Sequence, residues 1–397
     1  MSESKEADVI VVGAGPAGLS AALGCLKAGL SPAVVDTSQS ASNYASKGRS
    51  AALFNKTIAF LDHLGVWDGC KAHAEPLKTL QFIDDTGRRF RAPDCVFHAE
   101  EIGETAFGYN ITNADLAAAF KAEAERRNLP IAMPGPLTSF RETASKASLR
   151  FADGTELRAP LAIAADGRMS ATREAAGIRK LTWAYDQIAM AATFAHERPH
   201  RSMCIEFHRS AGPFTLVPLP GNSSGFVWVE RKATAEALLA LDDQEFAREI
   251  EKASHMALGR VFDVSDRARF PLSSLAVNDY GRLRVALVGE AAHVVPPIGA
   301  QGLNLGFRDV ETLLGLLAAA KEKNEDLGSD TLLRAYSAAR RGDILSRTAG
   351  ADILNRSLLS NFLPLQAARS FGLYALGSIG PLRRAFMRRG MAPVGFV

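Results

Sequence analysis

Asp8 to Gly18 reads DVIVVGAGPAG. Its first five residues form an apolar run short enough for a buried strand of a parallel sheet, and LSAALGCLKAGL follows with helical character. Between them stand Gly13, Gly15 and Gly18 in GxGxxG spacing, with Pro16 and Ala17 at the start of the helix. Gly13 permits the tight turn, Gly15 lets the backbone approach a pyrophosphate, and Gly18 lets helix and strand pack closely. A second strand-like run, Pro32 to Val35, ends in Asp36, whose carboxylate falls where the ribose diol of an adenine nucleotide would lie. Strand, glycines, helix, strand and acid in this order specify a dinucleotide site. They do not distinguish NAD from FAD.

Two further segments repeat the arrangement of a strand running into a turn and a helix. LAIAA, residues 161–165, leads into Asp166-Gly167-Arg168-Met169-Ser170-Ala171-Thr172-Arg173, a DGxxSxxR pattern in which Ser170 also suits a helix N-cap. GRLRVALVG then leads into GEAAHVVPPIGAQGLNLGFRD, Gly289 to Asp309, and helical spacing runs from Asn304 to Leu317. A helix start leaves amides without acceptors and about half a positive charge facing outward. Such a terminus suits a phosphate, or a group that becomes anionic during turnover.

These three segments resemble the fingerprints of the single-component FAD-dependent aromatic hydroxylases, the group that includes p-hydroxybenzoate hydroxylase, and they occur in the same order. Within that group the pattern HxxxPxxxQGxNxGxxD, met by His293, Pro297, Gln301, Gly302, Asn304, Gly306 and Asp309, most resembles the ubiquinone-biosynthesis hydroxylases. The resemblance extends to GRSAALFNKTIAFLDHLGVW, GPFTLVPLPGNSSGFVW and LLRAYSAARRGD, so it covers nearly the whole chain. It implies an α/β fold in which a Rossmann-like FAD-binding domain is interleaved with a smaller α+β substrate domain built on an antiparallel sheet, followed by a helical C-terminal segment. The expected division is 1–72, 111–182 and 279–340 for the FAD-binding domain, 73–110 and 183–278 for the substrate domain, and 341–397 for the C-terminal segment.

The resemblance further implies that FAD is held by Gly13, Gly15, Pro16, Ala17, Gly18, Asp36, Arg49, Asp166, Gly167 and Glu290. Backbone amides of Gly302, Leu303 and Asn304 are expected at the pyrimidine end of the flavin. NAD(P)H is expected as a transient cosubstrate, because no second GxGxxG exists. Two positions depart from the family. Glu290 stands where an Asp usually binds a ribityl hydroxyl, and Ala300 where a glycine often precedes the glutamine; a Cβ there costs about 1 kcal/mol if φ is positive.

No general base is legible, and Arg49, His293 and Pro297 are the catalytic candidates. Arg49 suits either the flavin and nicotinamide entry or a helix-start surface. His293 suits either the substrate or the carbonyls of its loop. The implied reaction is hydroxylation of an aromatic ring with O2 and NAD(P)H, the substrate being a polyprenylated phenol of ubiquinone biosynthesis. Rivals are a catabolic hydroxylase of a small soluble phenol, a flavin-dependent isoprenoid reductase, and a flavin-bearing assembly scaffold with little turnover.

The 397 residues, 47% hydrophobic and 22% charged, are those of an ordinary globular chain. Cys25, Cys70, Cys95 and Cys204 lack CxxC spacing, MSESKEAD lacks the features of a signal peptide, and no run of about twenty apolar residues occurs. These features predict a cytoplasmic protein. MCIEF, FTLVPL and GFVWV between Ile188 and Val229 predict an antiparallel sheet, and LKTLQFIDDTGRRFRA predicts a hairpin joining it, with its turn at Asp85-Thr86-Gly87. His196 and His200 flank Pro199 in what reads as a polar surface turn, so no metal site is expected.

After Asp352 there is no acidic residue, yet six arginines (356, 369, 383, 384, 388 and 389) follow, in a chain whose net charge is +3. Interspersed apolar residues such as Phe362, Leu363, Leu365, Phe371, Tyr374, Leu382, Phe386 and Met387 suit either packing on the core or a helix lying on anionic lipid. On the second reading peripheral contact with the inner face of the membrane is expected; the resemblance further implies a ubiquinone-biosynthesis protein complex as partner, and nucleic acid is not expected.

Overall fold

The computed structural model describes residues 7–37, 48–87, 91, 93–297, 299–359, 372 and 378–391. Its six-stranded sheet has the order Gly281–Arg282, Val285–Leu287, Leu161–Ala164, Val9–Val12, Pro32–Val35, Ile131–Ala132. The last five strands are mutually parallel. Val9–Val12, Leu161–Ala164 and Val285–Leu287 are wholly inaccessible, as continuous apolar strands must be when both sheet faces are covered. The helices Pro16–Lys27 and Gln301–Glu322 cover them with Leu19, Leu23, Leu305, Phe307, Leu313 and Leu317. The second of these begins at Gln301, three residues earlier than the helical spacing alone indicates.

A nine-stranded sheet follows the path His293–Val294, Ala268–Val277, Lys180–His196, Ser223–Arg231, Gly212–Leu219, Met203–Arg209, Thr79–Asp84, Cys95–His98, with Val261–Phe262 beside Lys180–His196. It is the expected antiparallel sheet with one exception, the parallel pairing of Met203–Arg209 with Thr79–Asp84. The hairpin does join it, but the returning strand is Cys95–His98, so Asp85-Thr86-Gly87 opens a longer connection. Residues 88–90 and 92 lie outside the described residues. One face of the sheet carries Phe207, Phe214, Phe226 and Trp228 under the helices Lys232–Leu239 and Asp243–Ala253. The second helix starts with a capping box between Asp242 and Glu245.

The surface-turn reading of His196 is corrected. It ends the strand Lys180–His196, is buried, and hydrogen-bonds through its two ring nitrogens to the Arg198 carbonyl and the Ser224 hydroxyl. Its place at the end of a seventeen-residue strand, with both ring nitrogens partnered, outweighed the local polarity of the turn.

The C-terminal part is helical over Asp330–Leu359 and Gly380–Met391. Arg369, Phe362, Leu363, Leu365, Phe371 and Tyr374 lie outside the described residues, as do the side chains of Phe386 and Arg389. Among the described residues no helix is long and apolar enough to cross a membrane. Met387 is buried in a cluster with Leu77, Cys95, Phe97, Ala99 and Phe107. Arg383 pairs with both Glu101 oxygens at 2.6 Å and lies 4.5 Å from the Phe97 ring centroid.

Candidate active site at the carboxyl edge of the parallel sheet

Strand register brings the three motifs together. Val12 is level with Ala164 and Val35, and Ala164 with Leu287, so Gly13, Asp36, Asp166 and Gly289 all emerge at one carboxyl edge. Ligands of open α/β sheets bind in the crevice at this edge. The close approaches explain the glycines. A Cβ on Gly18 would lie 1.8 Å from the Gly13 carbonyl oxygen, and one on Gly13, at φ +106°, 2.4 Å from that of Ala165. A Cβ on Gly15 would meet nothing within 4 Å, which leaves the backbone open to a ligand.

At the second motif Ser170 accepts from the Arg173 amide at 2.9 Å, so it is the N-cap. Asp166 accepts from the Thr172 amide through one oxygen, while the other is buried without a partner among the described residues. Arg173 is fully buried and donates to the carbonyls of Ala291 (2.9 Å) and Arg168 (3.1 Å). It thus ties the second motif to the third, a role that its spacing three residues beyond the cap only hints at.

In the third motif Glu290 is exposed in the short turn Gly289–Ala291. Ala300 is the N-cap of Gln301–Glu322, takes φ +53° and supplies no side-chain cap. The amides of Gln301, Gly302 and Leu303 fill the first turn, where no intrahelical acceptor exists. Asn304 comes one position later. Its side chain accepts from the Phe54 amide (3.0 Å) and the Thr57 hydroxyl (2.7 Å) and donates to the carbonyls of Ala52 (2.8 Å) and Ala300 (2.7 Å). All four hydrogen-bonding positions are filled, and the helix start is clamped to the strand Ser50–Phe54.

His293 faces neither open space nor a loop carbonyl. Its Nε2 lies 2.6 Å from Asp309, which also accepts from the Gly289 amide (3.0 Å) and from Arg340 (2.8 Å). Burial raises the pKa of the Asp309 carboxyl, but His293 and Arg340 outweigh it and hold the pKa below the usual range. Arg340 continues to Asp343, and Asp343 to Arg308. Nothing in the motif spacing announces this buried ionic chain, because Arg340 and Asp343 come from the separate helix Asp330–Leu359.

Arg49 lies over the Phe270 ring at 5.2 Å and so faces the large sheet rather than bulk solvent alone. Pro297 is half-buried in the bend before the helix start. Asp36 is buried at the end of its strand, its amide donating to the Ala132 carbonyl at 2.8 Å. The open backbone at Gly15, the unpartnered Asp166 oxygen and the uncapped helix start fit a dinucleotide whose far end carries negative charge.

Residues 6–345 match the FAD binding domain family. Ubiquinone hydroxylase UbiL of Rhodospirillum rubrum is 36% identical over 98% of this chain and 90% of its own length. The 3-demethoxyubiquinol 3-hydroxylase of Escherichia coli is 29% identical over 96% of this chain and 97% of its own. Among solved structures, HpxO of Klebsiella pneumoniae complexed with FAD and uric acid superposes with a TM-score of 0.75 at 19% identity, covering 98% of this chain and 97% of that one, which bears on the fold alone.

Proposed function

Because this chain belongs to the FAD binding domain family and is an FAD-dependent aromatic monooxygenase, we propose that it hydroxylates the ring of a polyprenylated phenol in ubiquinone biosynthesis, consuming NAD(P)H and O2. The observation that carries this reading is the meeting of all three motifs at one sheet edge, with Arg49 set against Phe270 of the second sheet. The balance is one ring C–H, O2, NAD(P)H and a proton giving a ring C–OH, water and NAD(P)+. Bound FAD supplies hydride acceptance and oxygen activation.

The chain's own residues bind, orient and exclude water. Asp36 would accept from the ribose diol, Gly13 and Gly15 would admit the pyrophosphate, and Glu290, with its extra methylene, would reach the ribityl chain. The amides of Gln301, Gly302 and Leu303 stabilise negative charge on the ring system. Arg49, set over Phe270 of the large sheet, would meet the nicotinamide as it enters.

The tail supports peripheral contact with anionic lipid, which would bring the site to a membrane-dissolved substrate. Arg384, Arg388, Ile379 and Leu382 are exposed there, whereas Arg383 is committed to Glu101. Changing Arg384 and Arg388 to Ser should reduce cosedimentation with anionic vesicles and leave the fold intact. Equal binding by parent and variant rejects lipid contact through these residues.

The reaction is tested with isotopically heavy O2 and a farnesyl-substituted phenol. A hydroxylase shows phenol-stimulated NAD(P)H oxidation and a product that gains one heavy oxygen. Product without oxygen indicates a reductase, neither response indicates a scaffold, and preference for an unprenylated phenol indicates a catabolic enzyme.

A further inference from the structure

The face of the large sheet opposite its helices is turned toward the flavin half. A Cβ on Gly225 would lie 2.9 Å from the Ser50 hydroxyl, and Ser50 begins the strand that Asn304 clamps. At the other side of this face Gln187 and Asn355 form a buried amide pair at 2.9 Å, so the helix Asp330–Leu359 covers it there. Between these covers, register places Val227 beside Thr215 and Thr215 beside Glu206. Val227 and Thr215 stay half-exposed. Two residues further along Met203–Arg209, about 7 Å, comes His208 on the same face.

Glu206 and His208 are 7% and 3% exposed, and their side chains meet at 2.8 Å. Among the described residues the only other hydrogen-bond partner of the Glu206 carboxylate is the Thr215 hydroxyl, at 3.3 Å. A carboxylate only accepts, so His208 Nε2 carries the proton. In a neutral imidazole Nδ1 then holds a lone pair, and this buried atom has no partner among the described residues. His293 has a similar open Nδ1, but its carboxylate is saturated by a buried arginine in the structural ionic chain. Glu206 has no such cation in hydrogen-bonding contact among the described residues.

Resting on the hydroxylase reading above, we propose that Glu206 and His208 form the polar end of the ring site, on a floor made by Val227 and Thr215, and that His208 Nδ1 takes the proton of the substrate's ring hydroxyl. The O–H bond breaks, its electron pair stays on oxygen, and an N–H bond forms at Nδ1. Glu206 is the positioning residue: it fixes the tautomer and stabilises the imidazolium. The phenolate charge spreads to the adjacent ring carbon, which becomes the better nucleophile toward oxygen, and the proton returns when product forms.

The test uses the FAD-loaded full chain with a farnesyl-substituted phenol and its methyl ether in detergent micelles, read by binding and by turnover. The parent should prefer the phenol to the ether by about tenfold. Glu206→Gln presents an amide donor that reverses the tautomer, and His208→Phe removes the base. Both should abolish the preference and lower kcat by about a hundredfold or more, with ether binding and FAD content kept. Val227→Phe fills the floor and should weaken both probes alike, which holds the test open if the polar variants fold poorly.

Retention of the preference and of turnover in Glu206→Gln and His208→Phe overturns the proposal, as does an unaltered affinity for both probes in Val227→Phe or a parent without preference. A parent that prefers the phenol, with the preference lost in the variants, but yields no oxygenated product leaves the site standing and rejects the hydroxylase reading. A parent that hydroxylates while the polar variants match it does the reverse.

Discussion

Arg173 donates from Nη1 to the Ala291 carbonyl at 2.9 Å, joining segments 118 residues apart within a fully buried contact. The guanidinium satisfies carbonyls of both the second and the third motif, so these loops cannot separate without leaving polar groups unpaired. Arg173→Met is expected to cost about 2–4 kcal/mol in urea unfolding and to weaken FAD binding at least tenfold. Arg173→Lys should recover only part, because one ammonium lacks the planar fork that reaches two carbonyls. Parent-like FAD affinity in Arg173→Met would show that the loops hold their spacing without it.

Ala300 occupies left-handed backbone at φ +53° and ψ 34° immediately before the helix start. Ala300→Gly relieves about 1 kcal/mol of Cβ strain, offset in part by a more flexible unfolded chain, for a net gain of about 0.5 kcal/mol. Chemical denaturation at constant FAD measures it. A loss of stability would mean that the helix start itself needs the methyl group.

Glu290 is exposed in the short turn Gly289–Ala291 beyond the strand Val285–Leu287, where its carboxylate is available to a ligand. Glu290→Asp should bind FAD at least as well as the parent and Glu290→Leu about tenfold more weakly. Equal titration curves for Leu and Glu would remove this residue from the site.

Asp309 is held ionised by His293 and Arg340 against the opposing effect of burial. Its folded pKa is depressed, so its contribution to stability is full above the unfolded value of about 3.9 and disappears as pH falls below it. Asp309→Asn takes one of two carboxylates from the buried Arg340, leaving Asp343, and should cost about 1–3 kcal/mol. The acid limb of the stability profile should flatten in the variant, and an unchanged limb would assign acid sensitivity to other carboxylates.

The pair Glu101 and Arg383 fastens the tail helix to the short turn Ala99–Ile102 that follows the strand Cys95–His98. The Arg383 guanidinium holds the Glu101 carboxyl down to about 2 against a usual 4.5. Docking should therefore be intact above pH 4.5 and weaken as pH falls toward 2. Hydrogen exchange in residues 380–391 follows it, and Glu101→Gln should show the weak-docking exchange already at neutral pH. Protection that is the same in both proteins at every pH would place the docking in Met387 and its apolar neighbours.

The sequence by itself determined the dinucleotide fold, the order of the motifs and the presence of a strand-rich insertion, because glycine spacing, apolar runs and turn residues act within a dozen positions. Gly13, Gly15, Gly18 and Ser170 are legible in this way: each answers a local steric or capping need. Only the tertiary structure decided where His293 points, what Asn304 and Arg173 hold, and that Glu206 and His208 share a face with Val227. Those relationships join residues up to 252 positions apart, as between Asn304 and Ala52. Burial and strand register, rather than any local pattern, select such partners, since a polar group removed from water must find one wherever the packed chain supplies it.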